Sequence, residues 1–208
     1  MNFGYLKPAA TLICACLALS TLGGCAIVDQ KVGLSYARPE LYLNRHTGDI
    51  ALLRPAPPAP GRNSNGDWVI GSLNNVHGVH QADLLSDRST AEWIADALLY
   101  ELKQAGYQAS YMDALPQGVA RGVAVTGIRT DISVNRGNVS SDARHDLRFN
   151  VDVYLNGDRA KTFTVSSRDE RTVPFTASRE ELESILLQSL QEAMKRLVPD
   201  IIALIDKK

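Results

Sequence analysis

Hydrophobic positions along the chain form two helical stripes, several alternating runs and one unbroken apolar block at the amino end. The first stripe begins at Ser89. Ser89-Thr90-Ala91-Glu92 has the form of a capping box, in which the serine oxygen accepts from a first-turn amide and the glutamate reaches back to the cap. Ala91, Ile94, Ala95, Leu98, Leu102 and Ala105 then recur at helical spacing, and Gly106 supplies a left-handed stop. The second stripe opens with Ser178-Arg179-Glu180-Glu181 and continues through Leu182, Leu186, Leu190, Ala193, Leu197 and Ile201. Pro199 lacks an amide hydrogen, so a kink or restart is expected there, after Lys195 and Arg196.

Between the stripes the period changes to two. Val123 and Val125 share one parity, whereas Ile128, Ile132 and Val134 share the other, which predicts a bulge at Gly127. Leu147, Phe149, Val151 and Val153 alternate with Arg148, Asn150, Asp152 and Tyr154, the signature of a strand with one covered and one wet face. Asn156-Gly157 closes a hairpin. A tight two-residue turn would set Phe163 and Val165 opposite Asn150 and Arg148, so the pattern favours a three-residue loop that returns them to the apolar face. Shorter strand-like runs lie at Asp49 to Arg54, Trp68 to Gly71 and Tyr107 to Met112, and Val32, Leu34 and Tyr36 alternate. The reading is strands, a helix, four strands, a helix. That order predicts an α+β two-layer sandwich, a mostly antiparallel sheet with two amphipathic helices packed on one face.

Composition changes this picture little. The 208 residues carry a formal charge of −1, 45% hydrophobic and 6% aromatic residues, which is globular and offers no basic or stacking surface for nucleic acid. The three cysteines matter more, because Cys14, Cys16 and Cys25 all lie in the apolar block. The body therefore has no disulfide, cysteine-rich zinc site or cysteine nucleophile. The block itself has a Lys7 start, an apolar centre and the tail Leu22-Gly23-Gly24-Cys25, which looks like a bacterial lipobox. Residues 1–24 read as a lipoprotein signal cut between Gly24 and Cys25, with Cys25 the lipid attachment site; its thiol is the nucleophile that takes the diacylglycerol. The competing readings are an uncleaved membrane helix over the uncharged Ala9 to Val28, and an ordinary cleavable signal. Residues 25–45 then form a lipid-anchored tether and 46–208 one periplasmic domain, interrupted by a proline-rich loop at 55–66. Ala26 after the cysteine points to the outer membrane by the general sorting rule.

Candidate chemistry is thin. His77 and His80 flank a glycine in a loop with no third ligand near, so no metal site is assigned. His145 shares the parity of Leu147 and borders the core. Asp67, Asp83 and Asp87, in loops before the first helix, are the carboxylates on which a hydrolase reading would rest. Asp142, Arg144, Asp146 and Arg148 read as a solvated face with cross-strand pairing. There is no GxSxG, P-loop, GxGxxG or HExxH motif, and no catalytic residue or cofactor is assigned. Trp68, Tyr107 and Tyr111 are the candidate lining of a ligand pocket, its small-molecule ligand unidentified.

Three stretches carry a resemblance: the first helix entering Gly106-Tyr107, Arg136-Gly137-Asn138-Val139 leading to the alternating strand and Asn156-Gly157, and Phe175-Thr176-Ala177-Ser178 opening the last helix. On these the chain is similar to the YajG-type bacterial lipoproteins. The resemblance implies an outer-membrane lipid anchor, a compact α/β periplasmic domain and no established enzymatic activity. The functional expectation is a non-catalytic accessory or docking lipoprotein, held to the membrane by its lipid and bound to an envelope protein partner. The alternative is an auxiliary or ligand-binding lipoprotein of a lipid-transporting ABC system or a cell-wall system, which predicts an apolar groove beside the helices.

Overall fold

The computed structural model describes residues 28–37, 46–56, 62–174 and 177–207. The chain runs β1 (Gln30–Lys31), β2 (Asp49–Leu53), β3 (Trp68–Asn74), β4 (His80–Ser86), α1 (Thr90–Gln104), β5 (Gln108–Met112), β6 (Arg121–Arg136), β7 (Ser140–Leu155), β8 (Asp158–Pro174) and α2 (Arg179–Ile205). Cys25, Gly24 and residues 57–61 of the proline-rich loop lie outside the described residues.

Both helices start where the capping boxes place them. Ser89 and Ser178 each accept from the amide of the glutamate three residues on, and that glutamate accepts from the cap amide. All six apolar positions predicted for each stripe are buried. α2 nevertheless continues unbroken through Pro199, which is exposed. The amide bond that Pro199 removes therefore lies on the solvent side of the helix, where water can satisfy the freed carbonyl.

The eight strands form a mixed sheet, which corrects the expectation of a mostly antiparallel one. β6–β7, β7–β8 and β3–β4 are antiparallel; β1–β4, β2–β5, β2–β6 and β3–β6 are parallel. The physical reason lies in the short strands. Ile50, Ala51 and Leu52 are buried in succession, as in strands covered on both sides, and such runs carry no alternation from which a pairing direction can be read. β4 is a further correction: the segment expected as a loop begins a strand at His80, and Leu84, Leu85 and Ser86 are buried in sequence.

β6 organises the sheet. One edge pairs with β7 along its length, while the other is divided, with Gly122 to Ala124 on β2 and Ile132 to Asn135 on β3. The β6–β7 register slips between Thr126 and Arg129, and Gly127 sits at φ 58°, so the predicted bulge is present. At Gly71 a Cβ would lie 2.0 Å from the Ile132 carbonyl oxygen, so only glycine admits β3 this close to β6.

The β7–β8 hairpin reaches its predicted register by another route. Leu155 pairs with Asp158, so the turn is the tight Asn156-Gly157 pair, both at positive φ. A bulge follows: Tyr154 pairs with Arg159 and Val153 with Lys161, which leaves Ala160 unpaired. Phe163 and Val165 then stand opposite Val151 and Phe149, as the apolar pattern requires.

Part of the expected tether belongs to the core. Val32 and Leu34 are buried, the Val32 amide donates to the Leu85 carbonyl at 2.8 Å, and the Trp93 indole donates to the Ser35 carbonyl at 2.9 Å. The Gly33 amide donates to Glu183 Oε1 at 2.7 Å, which ties this segment to α2.

Candidate functional site

The helices seal one face of β6, β7 and β8, where Val123, Val125, Leu147, Phe149, Val151 and Val153 meet α1 and α2 in a single core. Alternate residues of the same strands point away and carry a polar ladder. At one end Asp152 accepts from the hydroxyls of Thr126 and Thr162, and Thr164 donates to Asn150. At the other, Thr172 donates to Asp142 at 3.1 Å. In the middle Asp146 accepts from Arg144 Nε at 2.6 Å and Arg168 Nε at 2.5 Å. Burial pushes the Asp146 carboxyl up, but these guanidiniums outweigh it and hold it below the ordinary carboxylate range.

Next to this satisfied row the ladder changes character. Arg129 stands directly opposite Arg148, and Asp131 opposite Asp146; Ser166 lies across from Arg148 on the third strand. The side chains of Arg129, Arg148 and Asp131 have no hydrogen bond or ion pair among the described residues. These positions line an open depression of about 600 Å³. Like charges placed directly across a strand pair are unfavourable, and here the two guanidiniums have no protein carboxylate between them.

A second cavity, about 450 Å³, lies at the division of the β6 edge. Leu53, Val125 and Ile128 line it with Ala91 in the first turn of α1, and Arg54 and Asp113 stand at its polar side. Arg54 Nε is 3.1 Å from Asp113 Oδ1.

The aromatic residues proposed as pocket lining are placed apart. Trp68 opens β3, is buried, and lies beneath the Arg62 guanidinium with its indole nitrogen unpartnered. β6 and β2 separate it from Tyr107 and Tyr111. Tyr111 donates to Asp96 Oδ1 at 2.6 Å and fastens β5 to α1. Tyr107 donates to Asp206 Oδ1 at 2.7 Å, and His46 stacks on its ring while its Nδ1 lies 2.6 Å from Asp206 Oδ2. Burial, then the carboxylate partner, raises both phenols well above the usual range, so each stays a protonated donor. The His46–Tyr107–Asp206 group was not anticipated from the sequence. Asp206 caps α2, and the group binds the segment leading into β2 to that helix end.

The other candidates do not converge. Asp67 lies in the loop immediately before β3, as expected, but is buried and accepts from Lys31 Nζ at 2.9 Å. Asp83 lies within β4 and faces His80 Nε2 at 2.8 Å. Among the described residues no group of three or more His, Cys, Asp or Glu is placed to hold a metal. His145 is fully buried, with Nε2 3.0 Å from Thr130 Oγ1 and Nδ1 unpartnered. Burial lowers its pKa to about 4, against the weaker raising influence of Asp146 and Asp169, so it is neutral at pH 7.

Fold and surface together define a small α+β domain in which β6, β7 and β8 have one helix-sealed face and one open, charged face. The chain matches the family described as uncharacterized lipoprotein (Lipoprotein_16) over residues 67–201 and belongs to it, in agreement with the resemblance read from the sequence. No curated protein sequence matches the chain. Similar solved structures include a Xanthomonas campestris protein of the DUF330 family (11% identity, 83% of this chain and 95% of that one, TM-score 0.45). A putative neuraminyllactose-binding hemagglutinin homolog from Helicobacter pylori aligns at 10% identity over 84% of this chain and 98% of its own, with TM-score 0.41. The rare lipoprotein B from Shewanella oneidensis aligns at 10% identity over 64% and 97%, with TM-score 0.35. Among the described residues no helix is long and apolar enough to cross a membrane.

Proposed function

We propose that this chain is a non-catalytic envelope lipoprotein, anchored in the outer membrane through Cys25 and facing the periplasm, whose domain is an accessory or docking module for another envelope component. The observation that carries the reading is the open face of β6, β7 and β8. It is backed by the sealed core, exposed at Arg129, Asp131 and Arg148, and these three side chains make no hydrogen bond or ion pair within the described residues. The family match and the Leu22-Gly23-Gly24-Cys25 sequence support the anchor. The absence of catalysis is supported by the pairwise engagement of the candidate acids and histidines: Asp67 with Lys31, Asp83 with His80, His46 with Asp206.

Two measurements test this. Radiolabelled palmitate is expected to enter the chain and to be lost in Cys25→Ala. A photocrosslinker at Ser133 or Ser166, on the open face, is expected to capture one reproducible envelope component, and one at Glu192 on the outer side of α2 is not. Equal capture from both positions would remove the docking role. The auxiliary or ligand-binding reading is favoured by the 450 Å³ cavity beside α1; a native mass spectrum of the lipoprotein that retains a bound lipid or cell-wall fragment would select it.

A further inference from the structure

We propose that the depression at the centre of the open face binds a zwitterionic phosphodiester headgroup of the phosphoethanolamine type, presented by a bilayer. The inference rests on the reading of the chain as a membrane-anchored docking lipoprotein, and it names the chemistry of what is docked. Arg129, Arg148 and Asp131, charged side chains on this face, have no hydrogen-bond or ion-pair partner among the described residues, and their arrangement constrains the ligand. Arg129 and Arg148 face each other across β6 and β7, with the Ser166 hydroxyl next in the row. Two planar guanidiniums and a hydroxyl match the oxygens of a phosphodiester, because each guanidinium can donate two parallel hydrogen bonds. A bare anion is a poor fit, since Asp131 occupies the adjacent position of the same face, about 7 Å along the strand. A bare cation is a poorer one, since two arginines would repel it. A ligand with its phosphate on the arginine row and an ammonium group two carbons away answers both rows.

The second carboxylate of the neighbouring row sharpens the choice. Asp146 is already clamped by Arg144 and Arg168, so it adds little attraction for a cation. Asp131 alone carries the ammonium contact, and one carboxylate suits a monovalent amine better than a divalent metal, which takes several oxygen ligands. The site is open to solvent, so its affinity for a single headgroup is low. Tethering by the Cys25 lipid supplies the high local concentration at which a weak site on a bilayer surface is filled.

The test is a calorimetric titration of the full-length lipoprotein in maltoside micelles, with glycerophosphoethanolamine, glycerol phosphate and ethanolamine as probes. Glycerophosphoethanolamine is expected to bind tightest. The R129A/R148A double variant is expected to weaken it by about tenfold or more, the loss of charge-assisted hydrogen bonds. D131N is expected to weaken glycerophosphoethanolamine and strengthen glycerol phosphate, reversing their order. All three positions are exposed, so the variants keep the native urea midpoint, and this is checked in parallel. Phosphatidylethanolamine vesicles are expected to compete for the site more strongly than phosphatidylglycerol vesicles. Tighter binding of glycerol phosphate to the native chain, or glycerophosphoethanolamine binding unchanged in R129A/R148A, overturns the site. Competition by neither vesicle overturns the bilayer as its source. The titration needs neither lipidation nor a protein partner, so its failure is separate from loss of palmitate labelling or of crosslinking.

Discussion

The two faces of β6, β7 and β8 are made from alternate residues of the same strands, yet they solve opposite problems. On the covered face the apolar residues join the helices in one core, and His145, a polar group buried there, is kept neutral by burial. On the open face the positions are mostly polar, and the ladder pairs its charges at Asp146 but not at Arg129, Arg148 and Asp131. Stability and recognition are therefore assigned to opposite parities of one sequence, which leaves the open face free to vary in charge without disturbing the fold.

Phe149 and Arg148 are adjacent in sequence and point to opposite faces, so they test the division most sharply. Phe149→Ala is expected to destabilise the domain by about 3–5 kcal/mol, the cost of a large cavity in a packed core. Urea unfolding measures it, and a loss below about 1 kcal/mol would show that the helices do not seal this face as tightly as the geometry indicates.

A second test titrates the covered face. His145 keeps its proton off down to about pH 4 in the folded chain, whereas an unfolded histidine takes a proton near 6.5. Between those values the unfolded state binds more protons, so stability is full above pH 6.5 and is lost as pH falls toward 4, by up to about 3 kcal/mol. Asp146, Glu183 and Asp206 have lowered pKa values. Their contribution is present above the ordinary carboxylate values and is lost at lower pH than most of the histidine window. Denaturant midpoints between pH 7 and 5 should fall in the native chain and flatten in His145→Leu. A flat native profile would place a charged partner or water at Nδ1.

How far these faces were legible in the sequence depends on what set them. The capping boxes at Ser89 and Ser178 are local hydrogen-bonding devices, so they read directly from four residues. The parities of β6 and β7 read equally well, including the phase change at Gly127. The parallel pairs did not, because runs such as Ile50 to Leu52 are buried on both sides and their direction is set by the crossover through α1. The β7–β8 register was legible while its mechanism was not, since a tight turn with a bulge at Ala160 and a longer loop displace Phe163 equally. The open-face site was half visible. Arg148 could be placed on a wet face, but Arg129 comes opposite it only because the bulge shifts the β6 register, and no local pattern counts those residues.

That bulge is itself testable. Gly127→Ala places a side chain at φ 58°, where its Cβ would meet Asn150 Nδ2 at 2.7 Å. The asparagine amide can move, so the backbone conformation dominates, and a loss of about 1–2 kcal/mol is expected. If the variant instead straightens the strand, Arg129 leaves its position opposite Arg148, and headgroup binding falls while the core stays folded. Amide exchange along β6 separates the two outcomes.

The smallest effect is expected at Arg148 itself. Arg148→Ala removes an exposed guanidinium that has no carboxylate partner and faces another arginine, so stability should change by less than about 0.5 kcal/mol. The sign carries information. A slight gain at low salt that fades as salt is added identifies relief of the Arg129–Arg148 repulsion, which marks a charge arrangement kept for something other than folding. A loss comparable to that of Phe149→Ala would mean that the open face also holds the domain together, and the division of labour between the two parities would fail.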